Sequence, residues 1–246
     1  MSELKDVIGK VLKDTFYEIY YAYKEHKEDT KNENTKNSKS HIVFPKYKNN
    51  EEIRVSEQEL RFVFVEKLNQ NICDDNKYYY SVETPTGKSY VFDEDNGGPK
   101  VVSQTDEEKN ENNKGVSARI DLVIMAKDAG NFKRIALIEF KAHNPDVNDY
   151  RKDICKLINE ERDNPDCLKY FIQIINVKNE QRTWNNIENK KITAIDDLKE
   201  KKNIEYSIEY RCFNLNSMNL KLKLKQGIIK TNKLQFTGCE SLSTAE

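Results

Sequence analysis

Apolar residues recur at helical spacing from the start of the chain: Leu4, Val7, Ile8, Val11, Leu12, Phe16, Ile19 and Tyr20 fall on one side of a helix over residues 3–24. The segment 1–24 is therefore expected to be an amphipathic helix that docks on the rest of the chain. The rhythm then stops. "KEHKEDTKNENTKNSKS", residues 24–40, holds no apolar side chain that could offset its ordering entropy, so 25–52 reads as a polar linker or loop. Helical spacing returns in "VSEQELRFVFVEKLNQ", where Ser56 as N-cap and Glu59 three residues on make a capping box. Leu60, Val63, Phe64 and Leu68 form the apolar stripe, and Glu57 lies on that stripe one turn earlier.

Strand patterns follow. "KYYYSVETPT", residues 77–86, is rich in aromatic and β-branched residues and is expected to stop at Pro85. Residues 93–115, with Gly-Gly-Pro punctuation and an acidic run, read as a long mobile insertion between strands. "ARIDLVIM" (118–125) and "RIALIEFKA" (134–142) are β-prone runs around the turn chemistry of "AKDAGNFK" and predict a hairpin. Their nearly continuous apolar character predicts strands covered on both faces. "DVNDYRKDICKLINEERDN" (146–164) predicts a helix and "CLKYFIQIINV" (167–177) a further buried strand. "NLKLKLKQ" alternates, with Lys221, Lys223 and Lys225 on one face and Leu220, Leu222 and Leu224 on the other, as a half-buried strand does. Residues 226–246 form a C-terminal tail without a clear pattern. The order of elements describes an α/β chain: a mixed β-sheet flanked by helices, with an N-terminal helix and polar insertions.

Composition narrows the class. At 246 residues and 37% hydrophobic, the chain can bury one sizeable core, placed here in residues 53–225. Charged residues make up 34%, yet the net charge is -1, so any nucleic-acid-binding surface must be local. No apolar run reaches the ~18 residues that span a bilayer, and the first residues mix charge into their apolar positions. A soluble cytoplasmic protein without a membrane partner is the expectation. Five scattered cysteines without C-x-x-C spacing read as reduced thiols, and His26, His41 and His143 are far apart.

The chemistry concentrates on the hairpin. Glu139 and Lys141, two apart, share a face of one strand, and antiparallel pairing brings Asp121 on the other arm beside them. Two carboxylates against one ammonium in an apolar setting leave negative charge that a divalent cation neutralises, and oxygen ligands select hard ions such as Mg²⁺ or Mn²⁺. A metal beside a lysine suits phosphodiester hydrolysis. The plain alternative is a surface ion pair on an edge strand, against which the apolar flanks "IALI" and "LVIM" argue.

Asp121, then seventeen residues, then Glu139-Phe140-Lys141, preceded by the helix "SEQELR", resembles the core motif of the PD-(D/E)xK nuclease superfamily. The aspartate stands in "RIDL", without the proline that names the family. The resemblance spans residues 54–177 and implies a restriction-endonuclease-like fold and an Mg- or Mn-dependent nuclease of DNA, ahead of RNA, in defence or repair. It implies Asp121 and Glu139 as metal ligands, Lys141 as the catalytic lysine and Glu57 as the helix carboxylate, with Glu59 the competing choice. It also leaves room for a homodimer or a partner subunit. The other function class is a catalytically silent nucleic-acid- or protein-binding module of the same fold.

Outside the motif, Glu83 can approach the site from the neighbouring strand or be a solvated strand end. Lys152 and Lys156, a turn apart, and His143 are candidates to contact nucleic acid, as are Lys221, Lys223 and Lys225, against the ordinary reading of a solvated face or a guarded edge. Trp184 is either a base-stacking residue or a loop anchor.

Overall fold

The computed structural model describes residues 2–28, 42–45, 53–72, 77–92, 100–102, 115–160, 166–197, 204–215, 219–229 and 239–241. In chain order the elements are α1 (Ser2–Glu28), α2 (Glu57–Ile72), β1 (Tyr78–Val91), β2 (Lys100–Val102), β3 (Val116–Asp128), β4 (Asn131–Ala142), α3 (Val147–Asn159), β5 (Leu168–Ile175), α4 (Glu180–Asp197), β6 (Ile204–Asn214), β7 (Asn219–Ile229) and β8 (Cys239–Ser241). The strands form one mixed sheet in the order β2-β1-β3-β4-β5-β6-β7-β8. β4 pairs antiparallel with β3 but parallel with β5, so it stands where the meander of the first strands passes into the crossover half.

Helices cover both faces. α1 and α2 pack Ile8, Phe16, Leu60 and Phe64 against Leu122, Ile138, Phe140 and Ile172. On the opposite face, Tyr150, Leu157, Trp184 and Ile187 of α3 and α4 meet Val123, Leu137, Phe171 and Tyr210. This double cover is why β3, β4 and β5 carry apolar runs in place of strict alternation.

Local chemistry accounts for most boundaries. The Ser56 N–H donates to Glu59 Oε2 at 2.8 Å and Gln58 N–H to Ser56 Oγ at 3.3 Å, which is the reciprocal capping box at the start of α2. Asp146 caps α3 by accepting from the Asp149 N–H at 2.9 Å. Ala129 and Gly130, both at positive φ, close the β3–β4 hairpin.

Several expectations change. β1 does not stop at Pro85 but runs on to Val91: Pro85 pairs in register with Arg119 at the start of an irregularity that extends to Ser89, and the border of a bulge is a position where a strand tolerates proline. Residues 100–102 of the expected insertion form β2 against β1, while 93–99 and 103–114 lie outside the described residues. Within the expected linker, Phe44 is buried in the α1–α2 core, and the Arg54 N–H donates to the Pro45 carbonyl at 2.8 Å. β7 is not an edge strand, since β8 pairs with it on the far side from β6. No helix among the described residues is long and apolar enough to cross a membrane.

Candidate functional site

The β3–β4 register pairs Leu122 with Ile138, and one step further along the same register sets Asp121 opposite Glu139. There the ladder gives way to a side-chain bond: the Phe140 N–H donates to Asp121 Oδ2 at 2.8 Å. The aspartate is thus fixed to the segment that carries Glu139 and Lys141. Phe140, pointing through the sheet, packs edge-on to Phe64 of α2 at a centroid distance of 5.3 Å, which leaves Glu139 and Lys141 on the face covered by α3.

α3 completes the cluster with two residues. Asp153 Oδ2 lies 2.7 Å from Lys141 Nζ, and Asp153 Oδ1 lies 2.8 Å from Lys156 Nζ. Lys156 Nζ also lies 2.7 Å from Glu139 Oε1 and donates to the Arg119 carbonyl at 2.8 Å. From the other side, the first turn of α2 brings Glu57 Oε2 to 3.6 Å from Lys141 Nζ. The Arg61 guanidinium, 4.0 Å from Asp121 Oδ1, also pairs with Glu83 and takes a 2.6 Å bond to Gln58 Oε1.

Formally, the four carboxylates Glu57, Asp121, Glu139 and Asp153 face the two ammoniums Lys141 and Lys156, an excess of two negative charges (4 − 2) before Arg61 is counted. Glu139 is 1% exposed, and its Oε2 has no hydrogen-bond donor. Burial, joined by the charge of Asp153, pushes its carboxyl well above the usual range against the opposing pull of Lys156. Burial likewise raises Glu57, with Lys141 opposing. Burial acts to lower both lysines, but Asp153 and Glu57 at Lys141, and Glu139 and Asp153 at Lys156, outweigh it and hold both ammoniums above their ordinary range.

The donor set of Asp121, Glu139 and Glu57 fits a hard divalent cation in its chemistry: oxygen ligands, excess negative charge and a buried Glu139 carboxylate whose Oε2 has no hydrogen-bond donor. No arrangement of three or more His, Cys, Asp or Glu side chains among the described residues is already shaped to grip an ion, so the present cluster is held by ammoniums.

The other candidates are spread more widely. Glu59 serves the α2 cap, whereas Glu57 reaches Lys141. Glu83, at φ 49, comes near Asp121 only through Arg61. Lys156 is drawn into the cluster at 8% exposure, while Lys152 lies half-buried on α3. His143 is exposed just past β4, at φ 61, with its N–H donating to the Ile174 carbonyl at 2.7 Å. Lys221, Lys223 and Lys225 lie on β7 opposite Cys212, Tyr210 and Ile208 of β6, with β5 and β6 between β7 and β4. Trp184 is neither stacked outward nor on a loop; it is a buried core residue of α4.

Asp153 and Arg61 escaped the sequence reading. Asp153 had a signal of the kind that singled out Glu57: a carboxylate among Tyr150, Ile154 and Leu157 on an otherwise apolar helix face. Arg61 had none, because its neighbours Gln58 and Glu83 gain meaning only when α2 and β1 meet.

No protein-family model, no curated protein and no solved structure matches the chain.

Proposed function

We propose that the chain is a metal-dependent nuclease of the PD-(D/E)xK type with a restriction-endonuclease-like core, hydrolysing phosphodiester bonds of DNA ahead of RNA. The observation that carries this reading is the joining of Asp121 to the Glu139-Phe140-Lys141 segment by the 2.8 Å Phe140 N–H bond, beside a buried Glu139 oxygen without a donor. Asp121 and Glu139 are the residues to hold Mg²⁺ or Mn²⁺, with Glu57 at the rim. Such an ion polarises a phosphoryl oxygen and acidifies a bound water. Lys141, kept charged by Asp153 and Glu57 and 17% exposed, would orient the attacking water and balance charge that develops on the phosphate oxygens. Arg61 offers the site a planar fork suited to a phosphate.

The test is cleavage of linear, circular and single-stranded DNA and of RNA with Mg²⁺ or Mn²⁺, comparing wild type with Asp121→Ala and Lys141→Ala. Metal-dependent cleavage lost in both variants supports the reading; wild-type protein that neither cuts nor binds metal overturns it.

One observation favours a second reading, a silent binding module of the same fold: Lys156 already pairs with Glu139, so the cluster has an internal counter-ion. Binding of nucleic acid at full affinity in chelator, without cleavage in any metal, would select it.

A further inference from the structure

The Lys156 ammonium has three protons, and three oxygens surround it: Glu139 Oε1 at 2.7 Å, Asp153 Oδ1 at 2.8 Å and the Arg119 carbonyl at 2.8 Å. The first two are carboxylates from β4 and α3, and the third is a main-chain oxygen from β3, two residues before Asp121. The ammonium is therefore a compact cation seated in an oxygen cradle, at 8% exposure and out of reach of a nucleic-acid backbone.

Lys141 does not play this part. Among the described residues its ion-pair partners are the buried Asp153 Oδ2 and the more open Glu57 Oε2, not Glu139. Each lysine thus takes one oxygen of Asp153, and only Lys156 of the two engages the carboxylate assigned to metal binding. A single positive charge leaves the cluster negative, and Glu139 Oε2 keeps no donor. A divalent ion offers the same oxygens twice the charge, at ligand distances near 2.1 Å for Mg²⁺.

We infer that Lys156 is a tethered counter-ion that holds Glu139 while no metal is present and competes with a divalent cation for it, so that metal affinity and fold stability are coupled through this one side chain. The inference rests on the nuclease reading in taking Glu139 as a metal ligand. On metal binding Lys156 gives up Glu139 and keeps Asp153 and the Arg119 carbonyl. Such an arrangement keeps the fold intact without metal, since the buried carboxylate is never left unpaired.

The experiment compares full-length wild type with Lys156→Met, which preserves volume and removes the charge. Mn²⁺ binding is followed by electron paramagnetic resonance, and thermal unfolding is measured in chelator and across a Mn²⁺ series. The expected result is Mn²⁺ affinity at least about tenfold higher in Lys156→Met, with a Tm that is depressed in chelator and recovers as Mn²⁺ is added. Equal or weaker Mn²⁺ affinity, or a Tm deficit that Mn²⁺ leaves in place, overturns the inference. A second measurement needs no Met variant: the Lys156 ammonium resonance of wild type, assigned by its absence in Lys156→Arg, shifts on titration with Mg²⁺. A resonance indifferent to saturating Mg²⁺ overturns the inference equally. Wild-type protein that binds Mn²⁺ through Asp121 while Lys156→Met binds it no better removes this inference and leaves the nuclease reading standing. Absence of binding in both proteins removes both.

Discussion

Asp121 is held across the hairpin by the main chain of Phe140, whose N–H reaches Oδ2 at 2.8 Å, so the position of one acidic residue is set by the strand that carries the other. An asparagine keeps an acceptor oxygen for that bond and an alanine does not. Asp121→Asn is expected to keep stability within about 1 kcal/mol of wild type, whereas Asp121→Ala loses about 1–2 kcal/mol in urea unfolding. On the proposed nuclease reading, both variants are expected to lose cleavage by about 100-fold or more, because the charge is gone in each.

Lys141 lies between Asp153 and Glu57 and is only partly covered. Lys141→Ala is expected to cost about 1–3 kcal/mol of stability, less than breaking a fully buried pair, because water reaches the site. On the proposed nuclease reading, cleavage is expected to fall by about 100-fold or more while Mn²⁺ binding stays within a few-fold. Loss of binding and cleavage together would instead make Lys141 a structural support.

Glu160, at the C-terminal end of α3, supplies a control. It is 5% exposed and accepts from the Gly87 N–H at 2.8 Å, the Lys88 N–H at 3.3 Å and the Tyr90 hydroxyl at 3.0 Å, with the Arg134 guanidinium also at 3.0 Å. It staples α3 to the β1 bulge. Glu160→Ala is expected to lower stability by about 3–5 kcal/mol, read from the urea midpoint, and to leave the Mn²⁺ affinity of the folded protein unchanged.

Alkaline pH attacks buried thiol and phenol groups on both faces of the sheet. Burial pushes the Cys155 thiol up to about 12 and the Tyr170 phenol up to about 12, and it raises Tyr150 and Tyr210 as well. The folded state binds these protons more tightly than the unfolded chain does. Their contribution is therefore complete below the ordinary values of 9.0 for the thiol and 10.0 for the phenol, and is lost as pH climbs through about 12. Tyrosinate absorbance from the buried phenols is expected to rise together with loss of helical circular dichroism. In the native protein at about pH 8, Cys155 is expected to resist iodoacetamide when its peptide is followed by mass spectrometry.

The central hairpin, both flanking helices and β5 were legible because their signals are local: a capping box at Ser56 and Glu59, a turn at Ala129 and Gly130, and apolar runs of strand length. α4 and β6 were not. "EQRTWNNIENKKITAIDD" buries Trp184, Ile187, Ala194 and Ile195 among so many polar residues that the stripe is faint, and the fold of the preceding strands decides the matter. In the site, Glu57 stood out only as a carboxylate on the apolar stripe of α2 and took its place from the family resemblance, whereas Asp121, Glu139 and Lys141 could be read from strand spacing. The role of Lys156 could not, since a lysine one turn from Lys152 looks solvated until Glu139 and the Arg119 carbonyl are placed around it.

Two contacts tie α2 to neighbouring residues of β4. Phe64 grips Phe140 through the sheet, and Glu57 reaches Lys141 around its end. The two grips close a ring from helix to strand and back through the adjacent residues Phe140 and Lys141. A force that rocks α2, whether from α1 packed along it or from a molecule resting on its exposed Phe62, is delivered to the charges from two directions at once, so the helix acts on them as a lever with two points of attachment.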